Sequence, residues 1–196
     1  MEEKNISAEE SLQIIEKMLA DTRNRFYNNG FAFLFWGILI ISDCLIEYWM
    51  DVTANEGKAG YVWAGTILAG MIVMALYYAG ITPKKRKFSK LDSINGKLWI
   101  GFGISYIVLG FLCVQLKTQM PPFIYCILGL CMFASGGIYK FWSMYAGAIV
   151  FWLGAVVCVL LKNGINTLLV SVAVMFLGYL VPGYLLWRKA KKEANV

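Results

Sequence analysis

The chain contains no histidine. That removes bis-histidine haem ligation, histidine-ligated zinc or iron, and imidazole acid–base catalysis. Charge is scarce as well: 15% of residues are Asp, Glu, Lys or Arg, where soluble domains carry about 25%. Cysteine is present but unpatterned. Cys44, Cys113, Cys126, Cys131 and Cys158 all lie in apolar runs, and none forms a C-x-x-C pair, so they read as small buried apolar residues. There is no P-loop and no nucleophile elbow, and Asp43 has no second aspartate within an apolar run to make an aspartyl dyad. The chain is therefore expected to be no enzyme and to need no cofactor or metal.

What the chain has in excess is apolar residues, 59% of its 196. A helix needs about 20 mostly apolar residues to cross roughly 30 Å of hydrocarbon. Six runs meet that length: about Gly30–Trp49, Gly60–Ile81, Leu98–Leu116, Pro122 to either Ser135 or Tyr139, Phe141–Leu161 and Ile165–Trp187. If they alternate in direction, every Lys and Arg except Lys58, Lys117 and Lys162 falls on one side. Basic residues stay cytoplasmic, so both termini are expected inside. The net charge of +6 then reflects topology and contact with anionic lipid, not nucleic acid. The cluster Lys84, Lys85, Arg86, Lys87 and Lys90 belongs to that lipid-facing set.

The sequence thus predicts an all-α fold: a six-transmembrane-helix bundle of three consecutive helical hairpins, preceded by a cytoplasmic amphipathic helix. Residues 1–28 form the N-terminal part, 29–188 the membrane domain and 189–196 a basic tail. The N-terminal stretch lacks the apolar core of a cleavable signal peptide, so targeting is expected from the first span. Ser7 and Glu10 have capping-box spacing, and Leu12, Ile15, Met18, Leu19, Thr22 and Phe26 share one stripe. Acids and bases are mixed over residues 7–26, unlike the Lys/Arg-rich helices that adsorb to anionic lipid. That segment is expected to dock on a partner protein or a second copy. Asp92, Ser93 and Asn95 are candidate caps for the third span. Gly136-Gly137 is a candidate turn after the fourth.

Lipid is as apolar as leucine, so helix contacts are expected at small residues. Candidates are Gly60/Ala64, Gly65/Ala69 and Ala75/Ala79 on the second span, Gly101/Ser105 and Gly103/Gly110 on the third, and Gly147/Gly154 on the fifth. Pro182 cannot donate to the Gly178 carbonyl, and Gly183 follows it, so a kink and candidate hinge are expected there. Trp49, Tyr61, Tyr77, Tyr78, Trp99, Tyr139, Trp142 and Trp187 read as interfacial anchors.

Asp43 and Glu47 are the only acids within the spans. Four residues apart, they share a helix face and would titrate as a unit. They form a candidate proton or cation site. The structural alternative is ion pairing of Glu47 with Lys117 or Lys162, which fall on the same outer side.

Three stretches carry a resemblance. Glu9 to Met18 with Asn29 to Gly37, Leu98 to Ser105, and Tyr179 to Leu186 together resemble a family of bacterial multi-pass membrane proteins of about this length. The resemblance implies inner-membrane location and architecture. That family has no established activity, so no site residue comes with it. The expected function is a non-enzymatic interaction, regulatory or assembly component in the inner membrane. The alternative is a small cation- or proton-coupled transporter or channel using Asp43 and Glu47.

Overall fold

Runs of apolar residues too long for a soluble core decide this architecture. In hydrocarbon every backbone N–H and C=O must be satisfied within the chain, and a helix does that locally. The computed structural model describes Gln13 and residues 30–53, 59–81, 90–161 and 165–193. Among these, six helical segments are long and apolar enough to cross a membrane. They are α1 (Gly30–Val52), α2 (Ala59–Ile81), α3 (Lys90–Leu116), α4 (Pro121–Tyr139) and α5 (Trp142–Leu160), followed by a composite sixth span. That span is α6 (Ile165–Met175), a π-helical turn (Phe176–Leu180) and α7 (Val181–Glu193). The chain is an all-α, multi-pass membrane-spanning bundle. The amphipathic segment 7–26, the cluster Lys84–Lys87 and Lys162 lie outside the described residues, apart from Gln13.

One boundary differs from expectation, and of the two ends considered for the fourth span the longer is found. α3 begins at Lys90, not Leu98, so Asp92, Ser93 and Asn95 lie inside the helix and do not cap it at Leu98. The extra turns bring Asn95 beside α4, where its Oδ1 accepts a 2.8 Å hydrogen bond from the buried Ser135 hydroxyl. α4 also runs through Gly136-Gly137 and stops at Tyr139. The turn falls on Lys140, held at φ 51°, and the Lys140 and Phe141 N–H groups both reach back to the Gly136 carbonyl. Gly136 serves packing instead, because a Cβ there would lie 3.3 Å from Met144 Cβ.

The helices do not share the interior equally. α4 packs along the whole of α5, while α1 packs along α6 and α7. Met132, Met144, Ala148, Phe151, Cys158 and Leu186 fill the space between these elements. An aromatic cluster joins Phe33 of α1 to Trp99 of α3 and Tyr179 of the sixth span, at centroid distances of 5.9 and 5.1 Å. Phe151 extends it, 6.2 Å from Tyr179 and 5.8 Å from Tyr125. Trp99 and the buried Tyr139 therefore turn inward instead of anchoring at an interface. Tyr61, Trp142 and Trp49 project outward. α2 rests chiefly on α1, and α3 chiefly on α4.

The sixth span absorbs Pro182 through its π turn. The Val181 N–H reaches the carbonyl of Phe176, five residues back. The Gly178 oxygen, denied a donor by Pro182, lies against α5: a Cβ on Gly147 would be 2.5 Å from it. Pro182 and Gly183 are both buried. A Cβ on Gly183 would sit 2.7 Å from Phe33 Cβ, so the candidate hinge is closely packed against α1.

Candidate functional site

α1 and α2 lie antiparallel, and the contacts between them run in one register. Phe31 stacks on Tyr77 at 4.5 Å. Gly70 admits the Trp36 ring, 3.0 Å from where its Cβ would be. Toward the other end of the pair, Trp63 Nε1 donates a 2.7 Å hydrogen bond to Glu47 Oε2. One helical turn deeper, the same register brings Thr66 of α2 opposite Asp43 of α1. The seam is thus a ladder of two polar rungs, with Glu47 and Asp43 on one rail and Trp63 and Thr66 on the other.

The rungs differ. Glu47 is half-buried and engaged by Trp63. Asp43 is 1% exposed, and the Thr66 hydroxyl faces it, yet neither carboxylate oxygen completes a hydrogen bond. It sits about 14 Å from the C-terminal end of α1, at 1.5 Å per residue. The Tyr106 phenol of α3 lies within electrostatic range of it. Among the described residues, its other titratable neighbours are Cys44 and Glu47, on its own helix. Neither they nor Tyr106 carries positive charge.

Lys117 does not reach this seam. It ends α3 in the left-handed conformation at φ 50°, is exposed, and makes no ion pair with Glu47. Asp43 and Glu47 share a helix face but have separate surroundings. Lys90 opens α3 by its backbone.

A second group of buried polar side chains belongs to α4 and α6. The Tyr125 hydroxyl of α4 faces Ser171 of α6, whose own hydroxyl donates to the Thr167 carbonyl at 2.8 Å. Ser171 follows the common helical habit of bonding one turn back. The Thr167 hydroxyl is buried and makes no hydrogen bond. Cys44 is in electrostatic range of both Asp43 and Tyr125.

Trp63, Thr66 and Tyr106 were not singled out by the sequence reading, which placed tryptophan and tyrosine at interfaces. A signal for two of them exists. With a short connection and antiparallel neighbours, Glu47 must lie near Trp63 and Asp43 near Thr66. Tyr106 has no comparable signal, because α3 is not joined to α1 by a short loop.

Nothing in this constellation matches a known catalytic arrangement, and among the described residues no three His, Cys, Asp or Glu side chains cluster as a metal site. Comparison with known proteins returns no match to a family model, to a curated protein or to a solved structure. What is shown is the architecture, a largely hydrophobic, multi-pass six-helix bundle, with no family match beside it.

Proposed function

We propose that this chain is an integral protein of the bacterial inner membrane that works by contact, without catalysis, as a regulatory or assembly component. Its six spans form three consecutive helical hairpins with both termini in the cytoplasm. The N-terminal amphipathic segment 7–26 and the basic inner face provide one contact surface. The membrane-embedded surface of α3 provides another, and its occupant is a second copy of the chain.

One observation carries this reading. Only 6% of the third span is buried within the bundle, against 56% of the fourth. Gly101 and Gly103 of α3 face space with no atom within 4 Å of a Cβ. Glycine weakens a helix and earns its place where another helix comes close. The same seven-residue glycine step, on α5, is filled by a neighbouring helix. A two-fold pairing puts one patch against itself, so a second copy supplies a matching surface without any other partner.

The test is oligomer mass in detergent, by light scattering, for the full chain and for a deletion of Met1–Arg25. A dimer of the full chain, with its mass or its co-purifying proteins reduced on deletion, is the expected result. A full chain that is monomeric at every concentration, and a deletion that leaves co-purifying proteins unchanged, would sink the reading.

A second reading is favoured by the orphaned carboxylate of Asp43: a small cation- or proton-coupled transporter or channel. Proton- or cation-coupled flux in proteoliposomes should then vanish in Asp43→Asn. Flux equal to that of protein-free vesicles in the wild type would remove it.

A further inference from the structure

A carboxylate sealed in the interior of a membrane bundle poses a definite chemical question. An isolated ion in such surroundings is strongly disfavoured, so the group must be neutral or matched by positive charge. Asp43 is 1% exposed, and both its oxygens lack hydrogen bonds. No lysine or arginine among the described residues pairs with it. Its closest acidic neighbour, Glu47, is already engaged by Trp63 Nε1 at 2.7 Å. The Thr66 hydroxyl faces it from α2, and the Tyr106 phenol of α3 lies within electrostatic range.

We propose that the Asp43 carboxylate, with the Thr66 and Tyr106 hydroxyls, forms an intramembrane site that exchanges one proton for one small monovalent cation. The exchange balances simply: the Asp43 carboxylic acid and a cation give the cation-bound carboxylate and a released proton. Charge selects the valence. One carboxylate and two neutral hydroxyls neutralise a single positive charge, whereas a divalent ion would leave a net buried charge. Oxygen donors suit hard cations, and divalent calcium and magnesium sites draw on more ligands than these. The single thiol nearby, Cys44, does not make a soft-metal site without companions. Glu47 plays no direct part. Its hydrogen bond to Trp63 holds α2 in the register that sets Thr66 opposite Asp43.

This site shares Asp43 with the transport reading but does not depend on flux, since a cation can bind and leave on one side only. The two are separated by measuring binding and flux independently.

The experiment uses the purified full-length protein in detergent and dicyclohexylcarbodiimide, which adds to protonated carboxyl groups in apolar surroundings. The readout is the mass shift on the fragment carrying Asp43, resolved from Glu47 by fragment sequencing. Labelling of Asp43 is expected, and it should slow as pH rises. Sodium or lithium chloride should slow it further, by about tenfold once the cation exceeds its Kd about tenfold. Choline chloride at the same ionic strength should not. Protection should strengthen with pH, because proton and cation compete for one group and each weakens the other. Thr66→Val and Tyr106→Phe should still label but need about tenfold more cation for the same protection, the worth of one lost ligand oxygen.

Labelling equal in sodium, lithium and choline would overturn the cation site and leave only a buried acid. Absence of labelling at Asp43 in monodisperse protein across pH 5–8 would overturn the proposal entirely. Cation protection without flux in proteoliposomes would uphold this site and remove transport.

Discussion

α5 and α3 carry the same small-residue device. Gly147 and Gly154 stand seven apart on one, Gly103 and Gly110 seven apart on the other. On α5 both are occupied: a Cβ would meet the Gly178 oxygen at 2.5 Å in the first case and Val174 Cγ2 at 2.5 Å in the second. On α3, Gly103 faces nothing within 4 Å, and Gly110 meets only the flexible tip of Met120 at 3.5 Å. What differs is the opposite wall. The sixth span presents a π turn whose Gly178 carbonyl lies against Gly147, and a β-branched valine about one turn earlier. A glycine step is half an interface, and the neighbour decides whether it becomes a whole one.

The largest effect should come from closing the occupied step. Gly147→Leu would drive a side chain into a backbone oxygen that cannot swing aside. Destabilisation at the upper end of the overpacking range, about 3 kcal/mol or more, is expected in thermal or denaturant unfolding from detergent micelles. A variant as stable as the wild type would mean that α5 and the sixth span are not pressed together as described.

Slightly smaller is the loss expected from Phe151→Ala. Phe151 is fully buried among Tyr125, Tyr179 and Gly178. Aromatic-to-alanine changes in soluble cores cost about 3–5 kcal/mol, and with lipid rather than water as the reference the lower end applies. Phe111→Ala, on the open surface of α3, should change the unfolding midpoint little. Equal losses at the two positions would erase the distinction between the packed sector and the outlying spans.

How much of this was legible beforehand follows from what hydropathy measures. Runs of apolar residues locate a helix along the membrane normal, and five of the six spans were bounded to within a few residues. They say little about rotation around the helix axis. Four glycine faces on α2 and α3 therefore looked as well placed as those on α5, although Gly60, Gly65, Gly101 and Gly103 all face open space. The start of α3 was misplaced for a different reason. Lys90–Lys97 is polar enough to leave the membrane, but polarity does not end a helix, and Asn95 finds Ser135 on α4. Gly136-Gly137 suggested a turn by composition, yet the left-handed residue is Lys140. At the candidate site the two acids were visible in the sequence. Their division into an engaged Glu47 and an orphaned Asp43 depends on α2 and α3, which no pattern within α1 records.

The seam between α1 and α2 offers an intermediate case, because one hydrogen bond carries much of its specificity. Trp63→Phe keeps the ring and removes the donor to Glu47. A loss of about 1–2 kcal/mol is expected, in the range for a bond to an ionisable acceptor. Coupling with Glu47→Gln in a double-mutant cycle should be measurable, because the two groups are in direct contact. Strict additivity would show that the 2.7 Å contact does not hold the spans together.

The smallest effect on folding should come from the unoccupied step, and it tests the comparison most sharply. Gly103→Leu adds a large side chain where no protein atom lies within 4 Å of a Cβ. Leucine also favours the helix over glycine by close to 1 kcal/mol, so the isolated bundle should be unchanged or slightly steadier. If a second copy covers this face, the same substitution should split the dimer while leaving monomer unfolding within about 0.5 kcal/mol of wild type. The two readouts move apart only if the glycines of α3 serve contact between copies. A destabilised monomer would mean that α3 is packed within the chain after all, and an intact dimer would move the contact surface to another part of the bundle.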